Sequence, residues 1–345
     1  MQQLTFIRRG RLEWREVPEP KLEGSAEVLV RPLAVARCDL DAAILFGQVP
    51  LKGPFALGHE FVAEVISCGE AVKGFSPGQK VVVPFQISCG ACSQCQRRLT
   101  GRCSTASLGS LPATGAMYGL GSAGGQWGGA LSDLVKVPYA DSMLLTIPDG
   151  IPPHSLASAS DNLVDAWRAV GPYLKQQPAS PVLIVGGGAW SIGLYAAAIA
   201  IALGSNQVDY LDSDPERLQL AQSLGANPLE CPIPESLGPY PITVDASSNP
   251  DGLSCALRSV EPEGVCTSVS IYFGKEVPIP LFQMYATGVT FRTGRVNSRS
   301  DIPNILALVQ SGRLKPERIT TKLAHWGEAS EALLDRSAKV VIVRD

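Results

Sequence analysis

The feature that most restricts the fold is a short apolar run ending in three glycines: Pro181-Val182-Leu183-Ile184-Val185, then Gly186-Gly187-Gly188. The run does not alternate between apolar and polar, which predicts a strand covered on both faces. Apolar residues then continue to Leu203 and stop at Gly204, which predicts a buried helix over Gly193–Leu203. Its longest uninterrupted apolar stretch, from Ile192, falls short of the ~20 residues that span a bilayer. A second strand at Val208–Leu211 follows. The next helix is announced by Asp214 as cap, Pro215 in the first turn, and Leu218, Ala221 and Leu224 on one face, and Gly225 closes it. Strand and helix alternating at this spacing predict βαβ units and a parallel sheet. Further helices are expected at Pro250–Val260, Ile302–Gln310 and Glu328–Leu334, and strands at Gly264–Ile271 and Lys339–Val343.

The first 150 residues are different in character. Val28–Val30, Phe61–Val65 and Lys80–Val83 are short β-like runs between Gly and Pro, and helical signals are few, so a mostly β domain is expected there. The change comes near Pro152-Pro153, and 345 residues are ample for two cores. With 45% apolar residues, 18% charged residues and a net charge of −3, the chain carries no basic field for nucleic acid or anionic lipid. The start, Met1 to Phe6, lacks the charged-then-apolar pattern of an export signal, so a cytoplasmic location is expected.

In that compartment clustered cysteines are more often metal ligands than disulfides. Cys89, Cys92 and Cys95 are each separated by two residues, and Cys103 follows after seven more. Four thiolates at such spacing can converge on one tetrahedral ion, with Gly90 and Gly101 easing the tight backbone. Disulfides fit poorly with the missing export signal; an iron–sulfur centre is the other reading that spacing allows. Zinc is the favoured ion. A closed four-cysteine site has no open position, so its role is structural.

Three further residues can make an open site: Cys38 after a strand, His59 in Gly58-His59-Glu60, and Asp161 at a helix start. A thiolate, an imidazole and a carboxylate form a three-ligand set that leaves one position for substrate. Taken singly, each also reads as a buried core cysteine, a polar surface histidine and a helix cap. His154 and His325 read as loop or surface residues.

The order Cys-x-x-Asp, Gly-His-Glu, four-cysteine lobe and glycine-rich βαβ resembles the zinc-containing medium-chain alcohol dehydrogenases, from Val28 to the final strand. The resemblance implies an α/β chain: a Rossmann doubly wound parallel sheet plus a mostly β, GroES-like catalytic domain. The expected division is 1–150 for the catalytic domain with its lobe at about 86–105, 151–287 for the Rossmann domain, and 288–345 returning to the catalytic domain. It assigns Cys38, His59 and Asp161 to a catalytic zinc and Cys89, Cys92, Cys95 and Cys103 to a structural one. Glu60 matches the family's glutamate beside the zinc, and Asp41 the aspartate that orients the histidine through its other ring nitrogen. Phe85 would line an apolar substrate pocket, as would Trp127 unless it merely packs. Family members form dimers and tetramers, so a homo-oligomer is expected. One departure stands out: most members carry Ser or Thr two residues after the first cysteine to pass on the substrate proton, and this chain has Leu40. The place of a common relay histidine is also apolar, in Ala42-Ala43-Ile44.

The glycine stretch Gly186 to Gly193, including Ser191 and Ile192, lies between strand and helix, where backbone N–H groups and the positive helix end favour a phosphate. It departs from G-x-G-x-x-G: with Gly193 as the last glycine and Gly188 as the first, the middle one falls on Trp190. Nineteen residues after Gly193, Asp212 ends the next strand; an acid there takes ribose hydroxyls and repels a 2′-phosphate, which favours NAD over NADP. Asp214 is the competing acid, already used as a cap, and Arg217 can stack near the adenine or recruit NADP. The expected function is hydride transfer between NAD(H) and a small alcohol or carbonyl, with two zinc ions per chain. Leu40 keeps a reductase of activated double bonds or a lyase-like relative in view, and a non-catalytic cofactor-binding protein is the third possibility.

Overall fold

The computed structural model describes residues 1–49, 51–108, 115–125, 127–230, 232–274 and 276–344. The chain forms two compact units: Met1–Val164 with Val296–Gln310 and Thr320–Asp345, and Asp165–Arg295 with Ser311–Ile319.

The first unit is built on a seven-stranded sheet. Its path runs Lys322–His325, Val340–Val343, Val28–Ala36, Glu60–Cys68, Lys80–Val83, Leu145–Thr146, and Val135–Val137 also pairs with Val28–Ala36. Val35, Phe61, Val62, Val82 and Val340 are fully buried, and since the neighbours Phe61 and Val62 point to opposite faces, both faces of the sheet are covered there. Two registers matter for function. Ala36 pairs with Glu60 in one antiparallel ladder, so the residues just beyond the two strand ends, Cys38 and His59, are neighbours. Val341 pairs with Ala36 in the other, which brings Lys339 beside Arg37. A one-residue slip of either ladder would turn these side chains to the opposite face.

The second unit holds a six-stranded, all-parallel sheet in the order Asn227–Glu230, Val208–Asp212, Val182–Val185, Tyr240–Asp245, Val260–Ser268, Thr290–Arg292. The strand order reverses between Val182–Val185 and Tyr240–Asp245, the point at which doubly wound sheets bind nucleotides. The expected helix after the glycines begins three residues early, at Trp190, and runs to Ala202. Ser191 to Ala200 are buried all round, as an apolar helix lying on a sheet requires. The expected strand Gly264–Ile271 instead spans Val260–Ser268, because Val260 already pairs with Tyr240. The helix expected at Glu328–Leu334 shrinks to Ala329–Ala332 after a 3₁₀ turn. Among the described residues, no helix is long and apolar enough to cross a membrane.

Candidate metal centres and nucleotide site

Cys38 caps the short helix Asp39–Leu45, and local chemistry explains why. Its Sγ accepts from the Leu40 N–H at 3.4 Å, while its own N–H donates to Asp41 Oδ2 at 3.3 Å, a capping box closed by the third helical residue. That bond turns Asp41 Oδ1 toward His59 Nδ1, 3.4 Å away, an ion-pair distance without the alignment of a good hydrogen bond. The opposite ring nitrogen, Nε2, then faces Asp161 Oδ2 at 3.2 Å, and Cys38 Sγ lies 3.0 Å from the same oxygen. Asp161 arrives from the end of the 3₁₀ helix Pro153–Ser160, which is tied to the strand edge where Ser160 Oγ accepts from the Phe61 N–H at 2.8 Å. The helix itself starts at Asn162 rather than at Asp161. The Phe85 ring lies 5.6 Å from the His59 ring, centroid to centroid.

The ligand atoms of Cys38, His59 and Asp161 lie within 4.8 Å of one another, and all three residues are buried. Asp41 and Glu60 add two more buried carboxyls beside them. Burial raises Asp41, and burial together with the charges of Asp161, Glu60 and Asp41 drives the Cys38 thiol far up. For His59, burial works against the cation, yet Asp41 and Asp161 outweigh it and lift the imidazole to about 9. Asp161 moves the other way: burial raises it, but the hydrogen bond and charge of His59 bring it down. This much negative potential in a buried site is what a divalent cation neutralises, and the donor set of sulfur, nitrogen and oxygen fits zinc.

Glu60 does not point into this cluster. Its Oε2 accepts from Lys339 Nζ at 2.6 Å and its Oε1 from the Asn162 N–H at 3.0 Å, with neither Glu60 nor Lys339 exposed. Burial raises the Glu60 carboxyl to about 7 although the Lys339 charge opposes the rise.

The sulfur atoms of Cys89, Cys92, Cys95 and Cys103 also lie within 4.8 Å of one another. Cys92 Sγ and Cys103 Sγ are 3.9 Å apart, and the eight described cysteines are all free, so the lobe is not held by disulfides. Backbone N–H groups of Cys89 and Cys92 donate to Cys103 Sγ and Cys89 Sγ at 3.4 and 3.3 Å. Burial raises the Cys92 thiol, but hydrogen bonds from Ser104 and Cys95 more than offset it and bring it to about 5, in the direction a thiolate ligand needs. Gly90 is required twice: its φ is +75°, and a Cβ there would sit 2.3 Å from Ser142 Oγ. The lobe is anchored to the helix Ser298–Gln310 and the residues just before it, through Gly101 N–H to Asn297 Oδ1 at 3.0 Å and Arg98 to the Ser300 carbonyl at 2.9 Å.

In the second unit, Gly186, Gly187 and Gly188 make the turn from Val182–Val185 into the helix. Gly187 has φ +144°, and a Cβ on Gly188 would lie 2.5 Å from Ser248. The two flanking glycines serve packing: a Cβ on Gly186 would meet Asp212 Oδ2 at 2.6 Å and Tyr210 Oη at 2.7 Å, and one on Gly193 would meet Ala246 at 3.2 Å. Ala189 supplies no side-chain cap to the helix start. Asp212 ends its strand with a fully buried side chain. Arg217 grips both its oxygens at 2.7 and 2.8 Å, and the Ser213 and Asp214 N–H groups add bonds at 2.7 and 3.0 Å. The Arg217 guanidinium also lies 5.9 Å from the Trp190 ring centroid. Asp214 caps its helix by accepting from the Arg217 N–H at 3.0 Å.

Residues 24–149 match the Alcohol dehydrogenase GroES-like domain family and residues 191–311 the Zinc-binding dehydrogenase family. The chain belongs to the zinc-containing medium-chain alcohol dehydrogenases. It is 29% identical over 329 residues to the probable zinc-binding alcohol dehydrogenase Rv1895 of Mycobacterium tuberculosis, covering 93% of this chain and 82% of that protein. The solved structure of alcohol dehydrogenase TADH from Thermus sp. ATN1 superposes with a TM-score of 0.87 at 31% identity, covering all of both chains. A putative zinc-binding dehydrogenase from Sinorhizobium meliloti 1021, bound to NADP, shares the fold at 22% identity, a TM-score of 0.80, 99% of this chain and 98% of its own.

This dehydrogenase is therefore a zinc-type oxidoreductase with a Rossmann sheet and a GroES-like, mostly β unit, and its two thiolate-bearing clusters are candidate catalytic and structural zinc sites. His154 is half-buried and His325 exposed, and neither belongs to either cluster. Two residues of the catalytic neighbourhood were not anticipated from sequence, Asn162 and Lys339. Asn162 carries only the signal of following Asp161. Lys339 carries none, since its partners are 177 and 279 residues away.

Proposed function

We propose that this dehydrogenase transfers a hydride between NAD(H) and a small alcohol or carbonyl compound. The observation that carries the reading is the convergence of Cys38, His59 and Asp161 in one buried cluster, with Asp41 Oδ1 3.4 Å from the imidazole it would orient. Zinc held there would act as a Lewis acid on the substrate oxygen. The chain's own contribution is to orient the ligands, exclude water and present the Phe85 ring as an apolar wall. Leu40, half-buried beside Cys38, offers no hydroxyl to relay a proton, so the substrate proton leaves by a route other than the family's usual one.

In the second unit, the uncapped helix start and the glycine turn suit a pyrophosphate, with Gly188, Ser191 and Ile192 forming the approach and Gly186 and Gly193 allowing the close packing behind it. We assign NAD as the cofactor from Asp212 at the end of its strand. Its oxygens are already occupied by Arg217, so ribose hydroxyls bind by exchanging with one of those bonds. We propose 1–150, 151–287 and 288–345 as the functional division, although the compact units change over later, at Val164 and Val296. The free cysteines support a reducing compartment such as the cytoplasm. The exposed Leu281, Phe282 and Tyr285, the last two each 85% exposed, support a homo-oligomer, dimer or tetramer.

The test combines metal analysis with turnover. About two zinc ions per chain are expected, and secondary alcohols should reduce NAD⁺ with loss of activity in Asp161→Ala. Leu40 favours one second reading, reduction of activated double bonds. Zinc present with no alcohol turnover, but oxidation of NADH by an enone, would replace the first reading with the second. Tighter binding of NADPH than NADH would overturn the cofactor assignment.

A further inference from the structure

Asn162 lies between Cys38 and Lys339 and bonds to both. Its Nδ2 donates to Cys38 Sγ at 3.2 Å, and its Oδ1 accepts from Lys339 Nζ at 2.7 Å. The orientation of the amide is not arbitrary. Lys339 Nζ and the Asp39 N–H, 3.3 Å from Oδ1, are donors only, so the oxygen must face them and the NH₂ must face the sulfur. The backbone fixes the side chain as well, because the Asn162 N–H is held by Glu60 Oε1 at 3.0 Å. Asn162 is 1% exposed and Lys339 and Glu60 are unexposed, so water does not compete for any of these bonds. Lys339 Nζ is surrounded by three acceptors: the Arg37 carbonyl at 2.9 Å, Glu60 Oε2 at 2.6 Å and Asn162 Oδ1 at 2.7 Å.

We propose that Asn162 is a positioning residue for the catalytic metal: its amide, polarised by Lys339, holds the Cys38 sulfur as a thiolate ligand and links that ligand to the Lys339–Glu60 ion pair. A cation bonded to the amide oxygen makes the NH₂ a stronger donor, and hydrogen bonds in series reinforce one another in a low-dielectric interior. An N–H bond to a ligating sulfur draws charge from it, fixes its direction and tunes its affinity for the ion. The proposal rests on the metal centre proposed above and adds a residue outside the ligand set.

Two substitutions separate a bond to sulfur from mere space-filling. Asn162→Ala removes both bonds. Asn162→Asp keeps the acceptor for Lys339 but replaces the N–H donor with an oxygen facing the thiolate. The readouts are chelator competition, which gives the affinity of each of the two metal sites, and the thiolate-to-cobalt absorption band of the cobalt-substituted protein. Both variants should retain the four-cysteine metal, lose about 10- to 100-fold in affinity at the other site, and shift the cobalt band. Wild-type affinity and an unshifted band in Asn162→Asp would overturn the proposal, whether or not Asn162→Ala folds. If the wild-type protein itself takes up only one metal ion, the fault lies instead with the reading of Cys38, His59 and Asp161 as a metal centre.

Discussion

Lys339 Nζ lies 2.6 Å from Glu60 Oε2 across 279 residues of sequence, with both side chains unexposed. Such a pair is costly to break from one side, because the surviving charge stays buried without a partner. Lys339→Met is expected to lower unfolding free energy by about 3–5 kcal/mol, read from denaturant midpoints. Adding Glu60→Gln should recover part of the loss; an equal or larger loss in the double variant would show that the pairing is not the cause.

The four-cysteine lobe is expected to behave as a separate metal site. Cys103→Ser should reduce zinc from about two to about one ion per chain and expose the lobe around Cys89–Cys103 to proteolysis. Retention of both ions would exclude the lobe as a binding site.

Gly186 has no room for a side chain, since a Cβ would stand 2.6 Å from Asp212 Oδ2 and 2.7 Å from Tyr210 Oη. Gly186→Ala should cost about 1–3 kcal/mol through displacement of these groups and weaken NADH binding. Gly327→Ala provides the control, because a Cβ there would meet no atom within 4 Å and the backbone φ is not left-handed. Comparable melting curves for the two variants would refute the steric account.

Asp335 governs an acid-side effect. Hydrogen bonds from Lys322 and Ser337 hold its carboxyl well below the usual carboxylate range. A carboxyl depressed on folding stabilises the native state above its unfolded pKa of about 3.9, and that stabilisation disappears as pH falls through the lower folded value. Asp335→Asn should therefore be less stable than wild type at pH 7, and the gap should close below about pH 4. The Asp335 and Ser337 carbonyls also accept from Arg37, so the effect reaches the strand edge that carries Cys38. Denaturation midpoints across that range check it; a gap independent of pH would point to lost packing instead.

What the sequence determined by itself is local. Four cysteines within fifteen residues, a glycine turn between strand and helix, and Asp214 followed by Pro215 each complete their interactions within a few residues, so their chemistry is readable from spacing. Cys38, His59 and Asp161 could be nominated from residue type and from resemblance. Their meeting was decided by the Ala36–Glu60 register and by the 3₁₀ helix docking against Phe61. The tertiary structure alone placed Asn162 against the Cys38 sulfur with Lys339 behind it, and it alone showed Asp212 already engaged by Arg217. The physical reason is common to all of them. A buried charge is satisfied by whichever group the sheet brings alongside it, and strand pairing joins residues without regard to their distance along the chain.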